Sequence, residues 1–260
     1  MFGLREWRRR KILKRAALPE DLWQAALQRV PLCARLSAEE LHRLRTLVLL
    51  FLHEKSIEGA QGVEVTDDMR LVIAILCCIP ILNLGLDYYD TWVSVIVYPD
   101  EFIPRHQYTD EAGVVHTSHM PLTGEAWARG PMILSWPDVE ESAEVPDDGW
   151  NVVFHECAHK LDMLNGEANG LPPLHRDMDI LAWTQDWTEA YEDFCARVER
   201  GEDDWLDPYA AENPGEFFAV ISEAFFEIPL DLQQDFPAVY RHLCAFYRQD
   251  PAARVLQQTD

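Results

Sequence analysis

The segment Val152-Val153-Phe154-His155-Glu156-Cys157-Ala158-His159-Lys160-Leu161-Asp162 constrains this 260-residue chain more than any other stretch. A helix turning by about 100° per residue puts His155, His159 and Asp162 on one narrow face. Val153, Phe154, Cys157, Leu161 and Leu164 fall on the opposite face, which would anchor the helix in a core, and Gly166 offers a stop. Two imidazoles one turn apart can reach a single metal ion. Glu156 projects beside them, where a general base for an attacking water belongs. The same two histidines would also suit a merely solvated helix face, and it is the glutamate between them that points to zinc.

A catalytic zinc needs a third protein ligand and an open position. The metzincin pattern would put glycine at 162 and His or Asp at 165, whereas the chain has Asp162 and Asn165. The ligand must therefore come from elsewhere, and the best source is the run from Tyr209 through Asn213, Pro214 and Glu216 to Glu223. Asn213 and Pro214 are suited to the cap and first position of a helix. Glu216 then stands third in that helix, where it serves equally as the closing carboxylate of a capping box or as a metal ligand. Glu223 shares its face and is the alternative ligand, or an acceptor for a histidine N–H. Asp162 competes for that last role.

Charge narrows the function classes. The chain has 22 Lys/Arg against 45 Asp/Glu, a net of −23. Residues 1–45 hold 11 basic and 5 acidic residues, leaving 11 and 40 for the remainder. Such a body cannot coat nucleic acid, because phosphate binding needs a positive field. The run Arg8-Arg9-Arg10-Lys11, with Lys14 and Arg15, is the one place for a polyanion to dock; otherwise it reads as a solvated helix start or loose terminus. Six cysteines (Cys33, Cys77, Cys78, Cys157, Cys195, Cys244) lack CxxC pairing and suggest free thiols in a reducing compartment. No apolar stretch follows the N-terminal arginines, so no signal peptide is expected. Leu71–Leu86 is interrupted by Pro80 and Asn83 and reads as a buried helix with its continuation, not a membrane span. A cytoplasmic protein without membrane contact is the expectation.

Residues 19–32 and 38–54 read as amphipathic helices, the second with a capping box at Ser37 and Glu40. Thr66 caps a third, running to Ile79 before Pro80. Residues 92–98 and 132–136 read as strands ended by Pro99 and Pro137, with loops or a hairpin over 101–124. Helices are expected again over 150–164, 177–200, 214–227 and 236–248. The fold class is α+β, predominantly helical, with a small β-sheet. A helical region over 1–90, basic at its start, precedes the region 91–260, the two forming one compact unit. Gly124-Glu125-Ala126-Trp127 and the following strand are candidates for an edge that an extended peptide could join. His106, His116 and His119 lack ligand spacing and are not read as a second metal site.

Together, HECAHKLD and YAAENPGEFFAVISEAFF resemble the Mlc titration factor A family of bacterial cytoplasmic zinc peptidases, itself similar in its catalytic region to the peptidase domain of anthrax lethal factor. The resemblance covers nearly the whole chain in length and order of segments, and its specificity rests on those two runs. It implies a zincin-like catalytic domain holding one Zn2+ through His155, His159 and Glu216. Glu156 falls on the family's general base, and Tyr209 on a tyrosine suited to hydrogen-bond the oxyanion of a tetrahedral intermediate. Without the resemblance, Tyr209 reads as an ordinary buried tyrosine after Pro208. Aspartate is expected four residues after the ligand glutamate in enzymes of the thermolysin type, but the chain has Val220, so support for a ligand histidine must come from another residue.

The resemblance further implies peptide-bond hydrolysis of an aminopeptidase-like kind and binding of an Mlc-type transcriptional repressor, with a role in control of the glucose phosphotransferase system. The alternative is a repressor-sequestering protein that is not a catalyst, its zinc site structural or vestigial. The acidic body itself favours cationic peptides and a basic partner by its field.

Overall fold

Local sequence chemistry sets the first helices in a computed structural model that describes residues 2–100, 106–109, 115–118, 124–126, 130–202 and 205–258. Helices α1 (Phe2–Arg15), α2 (Glu20–Arg29), α3 (Ala38–Glu54) and α4 (Asp67–Cys78) open the chain. The capping box at α3 forms as expected: Ser37 Oγ accepts from the Glu40 amide at 3.3 Å, and Glu40 Oε2 accepts from the Ser37 amide at 2.9 Å. Thr66 caps α4 through the Met69 amide at 3.2 Å. Residues Leu71 to Cys78 are all buried, so beyond its first turn α4 is a core helix with no solvent face.

The central sheet joins both halves of the sequence. Its strands are β1 (Ser56–Gly59), β2 (Ser94–Tyr98), β5 (Gly124–Ala126) and β6 (Met132–Ser135), while β3 (His106–Thr109) and β4 (Val115–Ser118) form a separate antiparallel pair. The order is β1-β2-β6-β5, with β1, β2 and β6 parallel and β5 antiparallel to β6. Strand β6 therefore lies inside the sheet, paired on both sides, and among the described residues β1 and β5 are the edges. The peptide-accepting edge expected from 124–136 narrows to β5, and Trp127 lies outside the described residues. Directly before β1, Lys55 is buried, its ammonium hydrogen-bonded to the carbonyls of Tyr89 and Trp92.

The remaining helices are α5 (Trp136–Glu144), α6 (Val152–Asp162), α7 (Ile180–Glu199), α8 (Pro214–Glu227), α9 (Pro229–Asp235), α10 (Pro237–Tyr247) and α11 (Pro251–Gln258). Trp136 starts α5 rather than ending a strand, and Pro137 sits in its first turn, where a missing N–H costs nothing. Proline opens α8, α9, α10 and α11 as well. Aromatic side chains fill the space between α7, α8 and α10: Trp183 stacks on Trp187 at 4.9 Å, and Phe217, Phe218 and Phe246 surround them. The fold is predominantly helical α+β with a small sheet, zincin-like in setting the HExxH helix, α6, against β5 and β6. Among the described residues, no helix is long and apolar enough to cross a membrane.

Candidate metal centre

Helix α6 is buried on nearly every side, a stricter environment than the amphipathic reading required. Glu156 is 3% exposed and Asp162 fully buried, alongside Val153, Phe154, Cys157 and Leu161. Asn151 caps the helix, its Oδ1 accepting from the Phe154 amide at 3.1 Å. One turn apart, His155 and His159 present rings with centroids 4.7 Å apart, close to perpendicular.

Helix α8 supplies the third group. Asn213 Oδ1 accepts from the amides of Gly215 and Glu216 at 2.9 and 3.1 Å, so the cap forms. The Glu216 carboxylate turns away from it: Oε2 lies 3.1 Å from His155 Nε2 and 3.3 Å from His159 Nε2. The two Nε2 atoms are 3.1 Å apart, and one ligand atom from each of the three residues lies within 4.8 Å of the others.

Two turns on, Glu223 is fully enclosed and works on both sides of the α6 start. Its Oε1 is 2.8 Å from His155 Nδ1, and its Oε2 accepts from the Asn151 amide at 2.6 Å. Glu227 continues the row, accepting from Asn151 Nδ2 at 2.8 Å and the Asp147 amide at 3.2 Å. Asp162 sits elsewhere: its Oδ2 accepts from the amides of Asn169 and Gly170 at 2.8 and 2.7 Å. Of the two carboxylates weighed as the histidine's partner, Glu223 makes that contact and Asp162 clamps a loop. Gly170 has φ +78, and a Cβ there would meet the Pro214 carbonyl oxygen at 2.7 Å, so the clamped loop seats against the start of α8.

Three carboxylates surround the rings, and their field shows in the titration behaviour. Burial alone pushes the Glu216 carboxyl up, yet hydrogen bonds with His155 and His159 hold it well below the usual carboxylate range. Burial lowers the basicity of His155, but Glu216, Glu223 and Glu156 outweigh it and raise the imidazole well above its ordinary value. His159 is lowered, chiefly by burial. Tyr209, in the 3-10 turn Pro208–Ala211, has its ring centroid 6.3 Å from that of His155. It is 42% exposed, so it is not the ordinary buried tyrosine of the alternative reading. Burial of its hydroxyl, then the charges of Glu216, Glu212 and Glu156, push its phenol well up, keeping it a hydrogen-bond donor.

The donor set fits a divalent cation. With Glu223 at Nδ1, a neutral His155 would keep its proton on that nitrogen, leaving Nε2, 3.1 Å from both Glu216 Oε2 and His159 Nε2, free to bind a cation. Acceptors crowded in this way are satisfied by a cation among them. Two imidazoles and one carboxylate are a zinc set that leaves a coordination position for water or substrate. Val220 is buried and offers no carboxylate; Glu223, three residues further along, stands at the histidine instead. Sequence reading did not single out Asn151, although asparagine directly before an apolar helical run is a cap signal. It also missed Glu227. His106 and His116 fall on β3 and β4, where side chains lie outside the described residues, as does His119.

Comparison with known proteins adds a family. The model of the glucose-regulated metallo-peptidase M90 family matches residues 4–248. The protein named Mlc titration factor A of Yersinia enterocolitica is 39% identical over 236 residues, 90% of this chain and 87% of the relative. That of Yersinia pestis is 39% identical over 236 residues, 90% of this chain and 86% of its own.

Proposed function

The chain belongs to the glucose-regulated metallo-peptidase M90 family, and on that premise we propose that it is a zinc-dependent peptidase hydrolysing peptide bonds in an aminopeptidase-like manner. The observation that carries this reading is the convergence of His155, His159 and Glu216 beside a buried Glu156. These three residues would hold one Zn2+, which when bound supplies Lewis acidity and lowers the pKa of water toward ~7. Glu156 takes the proton from the attacking water and carries it to the leaving amine. Tyr209 donates to the developing oxyanion. Glu223 keeps His155 in the tautomer that directs Nε2 inward. An extended substrate would lie along β5, adding its backbone to the edge. Residues 1–90 and 91–260 act as one unit in this reading, since β1 from the first region pairs with β2 from the second. The six free cysteines accord with a cytoplasmic location.

A second activity is favoured by what the relatives are named for. We infer that the acidic body also binds an Mlc-type transcriptional repressor, placing the protein in control of the glucose phosphotransferase system. The alternative is sequestration alone, with a structural or vestigial metal site. Removing metal with a chelator and restoring it as Zn2+ tests the first reading: peptide cleavage should vanish and return. Cleavage that survives complete zinc removal would refute it. The same two samples separate the second reading, because repressor binding retained without zinc marks it as non-catalytic.

A further inference from the structure

Helix α1 carries seven Lys/Arg and one glutamate in a chain of net charge −23. Arg10 pairs with Glu6 on the helix itself, and the other six cations divide between two faces. On the inner face Arg9 pairs with Glu54 at 2.7 Å and Asp87 at 2.6 Å, Arg5 pairs with Asp90 and Glu54, and Ile12 packs on the core. These contacts seat the helix against α3 and the turn Leu86–Tyr89.

The outer face gathers Leu4, Trp7, Arg8, Lys11, Lys14 and Arg15 within an arc of about 120° at helical spacing. All six are exposed, Leu4 by 78% and Trp7 by 59%. Among the described residues none of these four cations makes an ion pair, although acidic side chains outnumber basic ones two to one in the chain. The Lys11 ammonium lies 5.1 Å from the Trp7 ring centroid. A cleft of about 550 Å³ opens between Trp7, Arg8, Lys11, Arg15 and His53.

Against the expectation of no membrane contact, we propose that this outer face of α1 docks on the surface of an anionic lipid bilayer. Four cations on one helical face meet lipid phosphates, an indole sits at headgroup depth, and Leu4 enters the acyl boundary. Duplex nucleic acid would satisfy the cations but leave Leu4 without an apolar partner. It would also press the acidic body against a rod of phosphates. A bilayer repels that body too, which leaves α1 as the one attractive contact and orients the molecule with α1 toward the lipid. Association through one helix face is reversible and sensitive to salt.

Flotation of the full chain with phosphatidylcholine vesicles containing phosphatidylglycerol, against pure phosphatidylcholine, tests this at low and high salt. Binding should need phosphatidylglycerol and disappear at high salt. Changing Arg8, Lys11, Lys14 and Arg15 to Gln should weaken it by roughly fivefold per cation removed. Trp7→Ser should weaken it severalfold with the charge intact. The altered side chains all point to solvent, and thermal melting checks that each variant is folded. Equal binding to both vesicle types, no binding by the wild type, or full binding by the folded four-Gln variant would overturn the proposal. So would capture of duplex DNA, or salt-sensitive self-association, in place of anionic vesicles.

Discussion

Glu216 and Glu223 stand two turns apart on α8 and reach opposite nitrogens of one imidazole. Their substitutions should therefore fail differently. Glu216→Ala removes a ligand, and titration with zinc should show loss of tight binding. Glu223→Gln keeps one acceptor where two bonds are needed, with His155 and the Asn151 amide. It should weaken zinc by about 10–100-fold and cost about 1–3 kcal/mol in chemical denaturation through a buried unpaired group. Equal zinc affinity in Glu223→Gln and wild type would contradict the role given to Glu223. His155 and His159 were legible in sequence because a spacing of four on a helix is a local fact. Ligand and cap remained open for Glu216, since both roles demand the third helical position. Only the packing of α8 on α6, between residues 61 apart in sequence, separates them.

At the scale of elements, the loop after α6 is tied down by a carboxylate whose hold on a proton burial strengthens. Burial raises the Asp162 carboxyl to about 6, against the lowering effect of the Gly170 and Asn169 amides. A folded value above the unfolded one means a stabilising contribution that is complete below about pH 4 and lost as pH rises through about 6. Both amides bond to Oδ2, so Asp162→Asn can retain them while removing the charge. The variant should therefore gain stability over wild type between pH 4 and pH 7, by on the order of 2 kcal/mol, read as a growing difference in melting temperature. A difference that does not change with pH would refute this. Long helices with cap signals, α3, α4 and α8, could be read in advance because their start chemistry is local. Strand β1 has four residues and too little pattern to detect. Helix α5 was hidden by Pro137, which ends a strand and opens a helix with equal ease. Helices α9 and α11, of seven and eight residues, are held by tertiary packing more than by their own periodicity.

For the whole molecule, the pairing of β1 with β2 and the burial of α4 against α6 put residues from both ends of the sequence in one core. Thermal unfolding followed by far- and near-ultraviolet circular dichroism should give one transition. Two resolved transitions would mean that residues 1–90 and 91–260 melt apart. The charge separation between α1 and the body was visible in composition, but which cations are consumed internally was not. That division depends on Glu54, Asp87 and Asp90 meeting Arg5 and Arg9 across the fold. The substrate was legible in neither sequence nor fold, because side-chain selection lies with a surface that the HExxH geometry does not specify. The proposed hydrolysis turns on Glu156, buried beside the two histidines and cast as the proton carrier. The decisive measurement is peptide cleavage by Glu156→Gln loaded with one zinc per chain. A fall of about 10²–10⁴-fold with zinc retained is the expected result. Undiminished cleavage by that zinc-loaded variant would contradict it.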